Sequence, residues 1–531
     1  MSDLAIQFYL VASALNLNIS NSFSYMPNFI EVMDTTLRDG EQTEEVSFSM
    51  QEKLALSKKL LLEAKVNRIE ITSARVSDGE QKTCEQIFSW AKEHNLLNKV
   101  EVLSFVDNNL SVDWVAKAGG RVINLLCKGS KNHCTNQLRK TPSEHYNDVK
   151  KTVEYALSKD FIVNAYLEDF SNGIKEDEEY VKNITKVLFD SGVQRVILAD
   201  TLGILSPSET FTYVSKMVNS FPNKHFDFHG HNDYGLAVAN SIEAVRAGAL
   251  GVHCTVNGLG ERTGNTPLEV LVPALNDFSE QKCCVEEREL SKLSHLVELF
   301  SHRRISKNHP VVGGVVFTQT AGIHADGDKK GNLYKSKLSA ERFGRSTRYA
   351  LGKLSGKASI EITLHQLGVN LTPEMSKKVL AKVVELGDKK EFVSKEDLLF
   401  IVNELQTSSN VKDFSIADYK IISSNTTKPV ARIKVSIFGK KYSSRAEGDG
   451  GYDAFVNALG KILKKRKISF PQLEDYEVRI PAGGKTDALV ECKITWKKGN
   501  RRIETIGVST DQIDAAIKAT EKMVNVILLI K

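Results

Sequence analysis

The sequence predicts an α/β protein: a (β/α)8 barrel, then a helical linker region, then a C-terminal α+β domain. Three observations lead there. Between Phe29 and Glu280, strand-length apolar or β-branched stretches alternate with amphipathic helical stretches, eight times over. From Gln281 to Asn410 the pattern turns mostly helical. From Val411 to Lys531 strand patterns return beside two helices. A chain of 531 residues is long enough for two or three domains.

The eight predicted barrel strands are Ile30–Met33, Arg68–Thr72, Val100–Phe105, Arg121–Leu125, Ile162–Leu167, Arg195–Ala199, His225–His229 and Gly251–Val256. Helical spacing of apolar residues marks stretches between them such as Met50–Leu62 and Tyr180–Asp190. An open doubly wound sheet is the rival, but no GxGxxG follows the first strand. The linker holds a polar loop at Asn308–Gly314 and a Gly-rich stretch at Thr320–Asn332. The last segment reads as a duplicated strand-strand-helix unit. Its strands are Pro429–Phe438, Tyr476–Ile480, Ala488–Trp496 and Arg502–Val508, and its helices Tyr452–Lys465 and Asp511–Leu529. The expected divisions are an N-terminal extension over 1–26, the barrel over 27–280, the linker over 281–410 and the C-terminal domain over 411–531.

Composition narrows the function. A net charge of +5 is small for this length and argues against a nucleic-acid binder, while suiting anionic substrates. The basic run Lys464–Lys467 closes a helix, where cations complement the dipole. Seven scattered cysteines without CxxC spacing point to reduced thiols in a cytoplasmic protein. No apolar run is long enough to span a membrane. The stretch Met1–Tyr25 lacks the basic start of a signal peptide, so Met26 is the expected start of the protein proper.

In such a barrel the C-terminal strand ends carry the chemistry. Four of them bear unusual polar residues. After the first strand, DTTLRDGEQ sets Arg38 beside Asp39: a carboxylate for a hard cation and a guanidinium for an oxyanion, or a local ion pair. HGHND places His229 and His231 two apart at the end of the seventh strand, hence on one face, as a metal pair would be. NGLGERTGN follows the eighth strand. It lacks the ending of a phosphate loop, is either a turn or a ligand loop, and offers the amide of Asn265 as a weak metal ligand. After the fifth strand, Glu168 either faces the mouth as a base or pairs with a barrel lysine or arginine.

Together these motifs resemble the acyl-CoA-condensing branch of the DRE-TIM metallolyases. The resemblance runs from Met26 to the end of the chain. The C-terminal part is similar to the regulatory domain of 2-isopropylmalate and (R)-citramalate synthases. Stretches such as EVSFS, SARVS, NLLCKGS, YLEDFSNG, FTQTAGIHADGDKKGNLY and EGDGGYDAF look like the long form of the citramalate synthases. The resemblance implies Asp39, His229, His231 and Asn265 as metal positions, for Mn²⁺, Mg²⁺ or Zn²⁺. It implies Arg38 as the group on the keto-acid oxygen, Thr201 on the substrate carboxylate, and Glu168, His324 and Tyr334 as catalytic residues. The last two belong to a region that reaches into a partner subunit in that family, which implies a homodimer. The implied reaction condenses acetyl-CoA with a 2-oxo acid and then hydrolyses the thioester.

Tyr166 narrows the oxo acid. Isopropylmalate synthases carry a small serine at the matching position and a histidine near Ile123. An aromatic ring at Tyr166, with Leu103 and Leu126 as neighbours, takes the space an isopropyl group needs and leaves room for pyruvate. The alternative is a ring turned outward. Hydroxymethylglutaryl-CoA lyases share the barrel but have a cysteine loop where Gly260-Glu261-Arg262 stands, and no C-terminal domain. The resemblance further implies feedback binding of isoleucine by Tyr452, Asp453, Leu473, Tyr476, Ile480, Val490 and Gln512. Thr510 departs from the proline of the similar enzymes, so leucine stays open as the effector. The other readings carried forward are a 2-isopropylmalate synthase and a non-catalytic amino-acid sensor.

Overall fold

The computed structural model describes residues 29–319 without a break and 327–529 with interruptions, the longest at 406–413 and 480–489. The expected start at Met26 lies outside the described residues.

Eight parallel strands close into a barrel in chain order. They are β1 (Glu31–Asp34), β2 (Arg68–Ser73), β3 (Val100–Phe105), β4 (Val122–Lys128), β5 (Ile162–Glu168), β6 (Arg195–Asp200), β7 (His225–Gly230) and β8 (Gly251–Cys254). Each overlaps its predicted stretch. The eighth stops two residues early, because Val256–Gly258 form a 3-10 turn in which Asn257 is left-handed. Helices return the chain between strands. Three begin with a full capping box, Ser49 with Glu52, Thr141 with Glu144 and Ser206 with Glu209, which satisfies backbone N–H groups at the helix start. The helix predicted over Met50–Leu62 is α-helical to Lys58 and widens into a π-helical stretch, Lys59–Ala64.

Residues facing outward on the strands are apolar and pack under the helices. Val102, Leu125, Leu167 and Phe228 are fully buried. Residues facing inward are largely polar. Arg68 on β2 reaches Glu101 on β3 at 3.0 Å, Asp227 on β7 at 2.5 Å and Glu31 on β1 at 3.0 Å. Glu31 and Glu101 lie on the two strands flanking β2, whereas Asp227 on β7 is reached across the barrel interior. Arg195 on β6 meets the same Glu31 at 2.6 Å. The barrel floor is therefore a net of paired charges.

The described residues form two compact units, one running to Val316 and including Lys337–Ser346, the other made of the described part of Phe317–Ser336 and of the chain from Thr347 onward. In the second unit the helices Lys357–Gln366 and Pro373–Asp388 share a core that includes Ile360, Leu364, Val379 and Val383. The C-terminal part corrects the predicted repeat. Each half is strand-strand-strand-helix, with strands Phe414–Ile422, Val430–Ile437 and Lys440–Glu447, then Gln472–Arg479, Val490–Lys498 and Arg501–Ser509. Each trio is an antiparallel sheet, and its helix, Gly451–Lys465 or Gln512–Leu529, follows it. Phe455, Leu459, Trp496 and Met523 join one core.

Candidate active site

Asp39 sits in the turn after β1, where the Thr35 carbonyl accepts the backbone N–H groups of Arg38, Asp39 and Gly40. His229 is the penultimate residue of β7, and His231 follows on the same face. Asp39 Oδ2 lies 3.4 Å from His229 Nε2 and 3.9 Å from His231 Nε2. Among the described residues, these three form the one cluster of His, Cys, Asp or Glu side chains close enough to share an ion, with ligand atoms within 4.8 Å of one another. All three are buried. Burial works to raise the Asp39 carboxyl, yet Arg38 and the neighbouring imidazoles hold it well below the usual carboxylate range. Burial pushes His231 down to about 4, which keeps its ring neutral and able to ligate.

The donor set suits a divalent metal. His229 Nδ1, His231 Nδ1 and Asn265 Oδ1 are buried polar atoms without a protein partner, and two imidazoles with a carboxylate are common ligands for such ions. The amide NH₂ of Asn265 donates to Asp39 Oδ1 at 2.9 Å and to the Leu259 carbonyl at 3.0 Å, so Asn265 also fixes the carboxylate. The glycine loop makes that approach possible. At Gly260, with φ +145°, a Cβ would lie 2.2 Å from Asn265 Nδ2, and at Gly264, with φ +82°, 1.7 Å from the Gly258 carbonyl. Arg262 pins the loop by donating to Asp233 at 2.7 and 2.9 Å and to the Thr201 carbonyl at 2.9 Å.

Arg38 is braced on three sides. It donates to Glu70 at 2.5 Å, to Asp39 at 3.0 Å and to the Tyr166 hydroxyl at 3.4 Å. Glu70 in turn accepts from Asn124 at 2.7 Å. Tyr166 points into the barrel, 2% exposed, clustered with Leu103, Ile197 and Ala199, with Leu126 against them. The ring does not turn outward. Its hydroxyl contacts His253 Nδ1 at 3.1 Å, and His253 Nε2 lies 3.2 Å from Asp227 Oδ2. Burial pushes His253 down to about 3, so the ring is neutral, and ionised Asp227 claims its one N–H. His253 Nδ1 is then an acceptor, and the Tyr166 hydroxyl donates to it.

Glu168 ends β5 and pairs with Lys128 at the end of β4. Glu168 thus stands at the mouth and makes the ion pair with a barrel lysine. Thr201, just past β6, accepts the Asp169 backbone N–H at 2.9 Å. His133 lies 3.4 Å from Asp169.

Comparison with known proteins finds matches along nearly the whole chain. Residues 29–297 match the HMGL-like family model, 311–391 the homocitrate synthase post-HMGL domain-like model, and 392–528 the LeuA allosteric (dimerisation) domain. An (R)-citramalate synthase from Methanocaldococcus jannaschii is 32% identical over 502 residues, 94% of this chain and 99% of that relative. A putative (R)-citramalate synthase from Archaeoglobus fulgidus is 32% identical over 500 residues, with the same coverage. A probable 2-isopropylmalate synthase from Methanopyrus kandleri is 30% identical over 504 residues, 94% of this chain and 98% of that relative. The chain belongs to the citramalate synthase and 2-isopropylmalate synthase family.

For a member of this family, the residues beyond the barrel are placed as follows. His324 and Ile480 lie outside the described residues, and Tyr334 is a half-exposed side chain of the second unit. In the C-terminal part the rings of Tyr452 and Tyr476 meet at 5.3 Å, and the Tyr452 hydroxyl bonds Thr520 at 2.7 Å. Asp453 accepts the Asp449 N–H at 2.9 Å, and Gln512 opens the last helix. Leu473 pairs with Trp496 and Val490 with Ser509, toward opposite ends of one sheet.

Sequence reasoning missed Glu70, Lys128, Asp227 and His253. A signal existed in the strands themselves. RIEIT, NAYLE and HFDFHGH alternate polar and apolar residues, which in a barrel buried on both faces marks a polar interior rather than a wet surface.

Proposed function

We infer that this chain is a citramalate synthase: it condenses acetyl-CoA with pyruvate and hydrolyses the thioester, releasing (R)-citramalate and CoA, a step of isoleucine biosynthesis. Asp39, His229 and His231 would hold a divalent cation, Mn²⁺, Mg²⁺ or Zn²⁺, with Asn265 fixing Asp39 and offering its orphaned oxygen. A cation there supplies Lewis-acid polarisation of the 2-oxo acid carbonyl. Arg38, rigidly braced, stabilises the negative charge that develops on the keto oxygen. The Thr201 hydroxyl, which accepts from Asp169, keeps its own proton to donate to the substrate carboxylate. Glu168 and His324 share the removal of the methyl proton from acetyl-CoA, and the ion pair with Lys128 holds Glu168 at the mouth. Tyr334 completes the set. Hydrolysis of the thioester makes the overall reaction irreversible.

The single observation that carries the choice of pyruvate is Tyr166, buried in the barrel against Leu103 and Leu126. The ring fills the volume a branched side chain would need, while a methyl group needs none of it. The same reading takes 27–280 as the catalytic part, 281–410 as the linker and 411–531 as a regulatory domain that binds isoleucine. It also takes the enzyme to be a cytoplasmic homodimer. Among the described residues no helix is long and apolar enough to cross a membrane.

The test is CoA thiol release from acetyl-CoA, with pyruvate and with 3-methyl-2-oxobutanoate. Preference for pyruvate is expected. Preference for the larger acid makes the chain a 2-isopropylmalate synthase. No release with any 2-oxo acid makes it a non-catalytic amino-acid sensor.

A further inference from the structure

We propose that His253 is a positioning residue that holds Tyr166 where it admits pyruvate and turns away larger 2-oxo acids, an inference that rests on the reading above. Leu103, Ile197, Ala199 and Leu126 pack the ring, and the imidazole of His229 stands edge-on to it, but apolar contacts do not engage its polar end. The hydroxyl fixes that end. Three groups approach that oxygen: His253 Nδ1 at 3.1 Å, Glu70 Oε2 at 3.3 Å and Arg38 at 3.4 Å. Glu70 Oε2 is already engaged by the Arg38 guanidinium at 2.5 Å, which leaves His253 as the shortest and least shared contact.

His253 cannot itself drift. Its ring stands edge-on to Tyr166, with centroids 5.5 Å apart and planes at 80°. Its other nitrogen meets Asp227 at 3.2 Å, and Asp227 is held by Arg68 at 2.5 Å and by His225 at 2.8 Å. Arg68 ties onward to Glu101 and Glu31. Two residues before His253, Gly251 leaves the room this carboxylate needs: a Cβ there would lie 2.2 Å from Asp227 Oδ1. The Tyr166 hydroxyl is thus strutted from β5 through β8 and β7 to the charged floor on β2, β3 and β1. Without the strut, a methyl-sized tilt of the ring opens the space that it denies to an isopropyl group.

Two near-isosteric variants separate this role from mere stability. An asparagine amide reaches the place of the imidazole Nδ1 and keeps a partner for Tyr166. A glutamine amide reaches the place of Nε2 and keeps a partner for Asp227 instead. The readout is the ratio of kcat/KM for pyruvate to that for 3-methyl-2-oxobutanoate, with thermal midpoints measured alongside. H253Q is expected to lower the ratio about tenfold, chiefly through a lower KM for the larger acid, and H253N to keep it within about threefold of the wild type. In a Tyr166→Phe background, which lacks the hydroxyl, H253Q is expected to have no further effect on the ratio. Equal losses in H253N and H253Q, an unchanged ratio in H253Q, or a full effect in the Tyr166→Phe background overturns the proposal. The ratio is measurable whichever acid the wild type prefers. A wild type that favours the larger acid therefore sinks the pyruvate reading, and the variants judge His253 separately.

Discussion

Asp39 concentrates the logic of the site in one carboxylate. Arg38 and the Asn265 amide bond it, the two imidazoles face it, and burial by itself would neutralise it. Arg38 and the imidazoles outweigh burial and hold it ionised, and an ion that binds only the folded site adds its binding free energy to stability. Mn²⁺ at a hundred times its dissociation constant should stabilise the protein by about 2.7 kcal/mol, read as a rise in the thermal midpoint. Asp39→Asn keeps the shape and should abolish that rise; a rise that persists would place the ion elsewhere. Tyr166→Ser removes the ring and its strut together. Selectivity for pyruvate over 3-methyl-2-oxobutanoate should fall by roughly one to two orders of magnitude, whereas unchanged selectivity would show that Tyr166 does not line the pocket. Asp39, His229 and His231 were legible because they are short motifs at strand ends. The partners of Tyr166 were not: His253 is 87 residues away along the chain, and only closure of the barrel brings it near.

At the scale of elements, the barrel strands announced themselves because their outward faces are apolar and their ends are marked by polar turns. Two C-terminal strands did not. Phe414–Ile422 has a bulge between Ile416 and Asp418 that breaks its alternation, and Lys440–Glu447 is an edge strand with one buried side chain, Ala446. The helix starts, by contrast, were written plainly in SPSE and TPSE. One of them has a measurable consequence. The backbone N–H of Ser206, then Lys175 and the Ser206 hydroxyl, draw the Glu209 carboxyl down from 4.5 to about 2. A depressed carboxylate contributes stability that is present above its unfolded value and is lost as pH falls through the folded one. Glu209→Ala should therefore lower the thermal midpoint by roughly 1–3 °C at pH 7, as expected for a lost cap. The gap to wild type should close as pH falls from 4.5 to about 2. A gap that stays constant with pH would mean the side chain acts by packing alone.

At the scale of the whole molecule, the C-terminal part matches the LeuA allosteric (dimerisation) domain, and two of the residues proposed for the effector, Leu473 and Val490, lie toward opposite ends of one sheet. On the strand Val490–Lys498, Val490 and the Leu473 partner Trp496 stand six residues apart, roughly 20 Å at the rise of an extended strand. No single amino acid bridges that span. A pocket drawing on both ends of the sheet needs a second copy, so that each of two equivalent sites takes one end from each chain. In the proposed effector pocket the Tyr452–Tyr476 pair, tilted by 42°, would supply an aromatic wall for an aliphatic side chain. Two outcomes follow for the intact enzyme. Isoleucine should inhibit CoA release, and Tyr476→Ala should raise the inhibitory concentration roughly 3–10-fold, the loss expected for one aromatic contact, while leaving uninhibited turnover in place. Because the effector would bind only where two chains meet, isoleucine should also tighten the dimer, seen as a lower dissociation midpoint in sedimentation at increasing dilution. Leucine acting in its place would change the effector and leave this linkage intact. Inhibition with no shift in dimer dissociation would confine the pocket to one chain and remove Leu473 or Val490 from it.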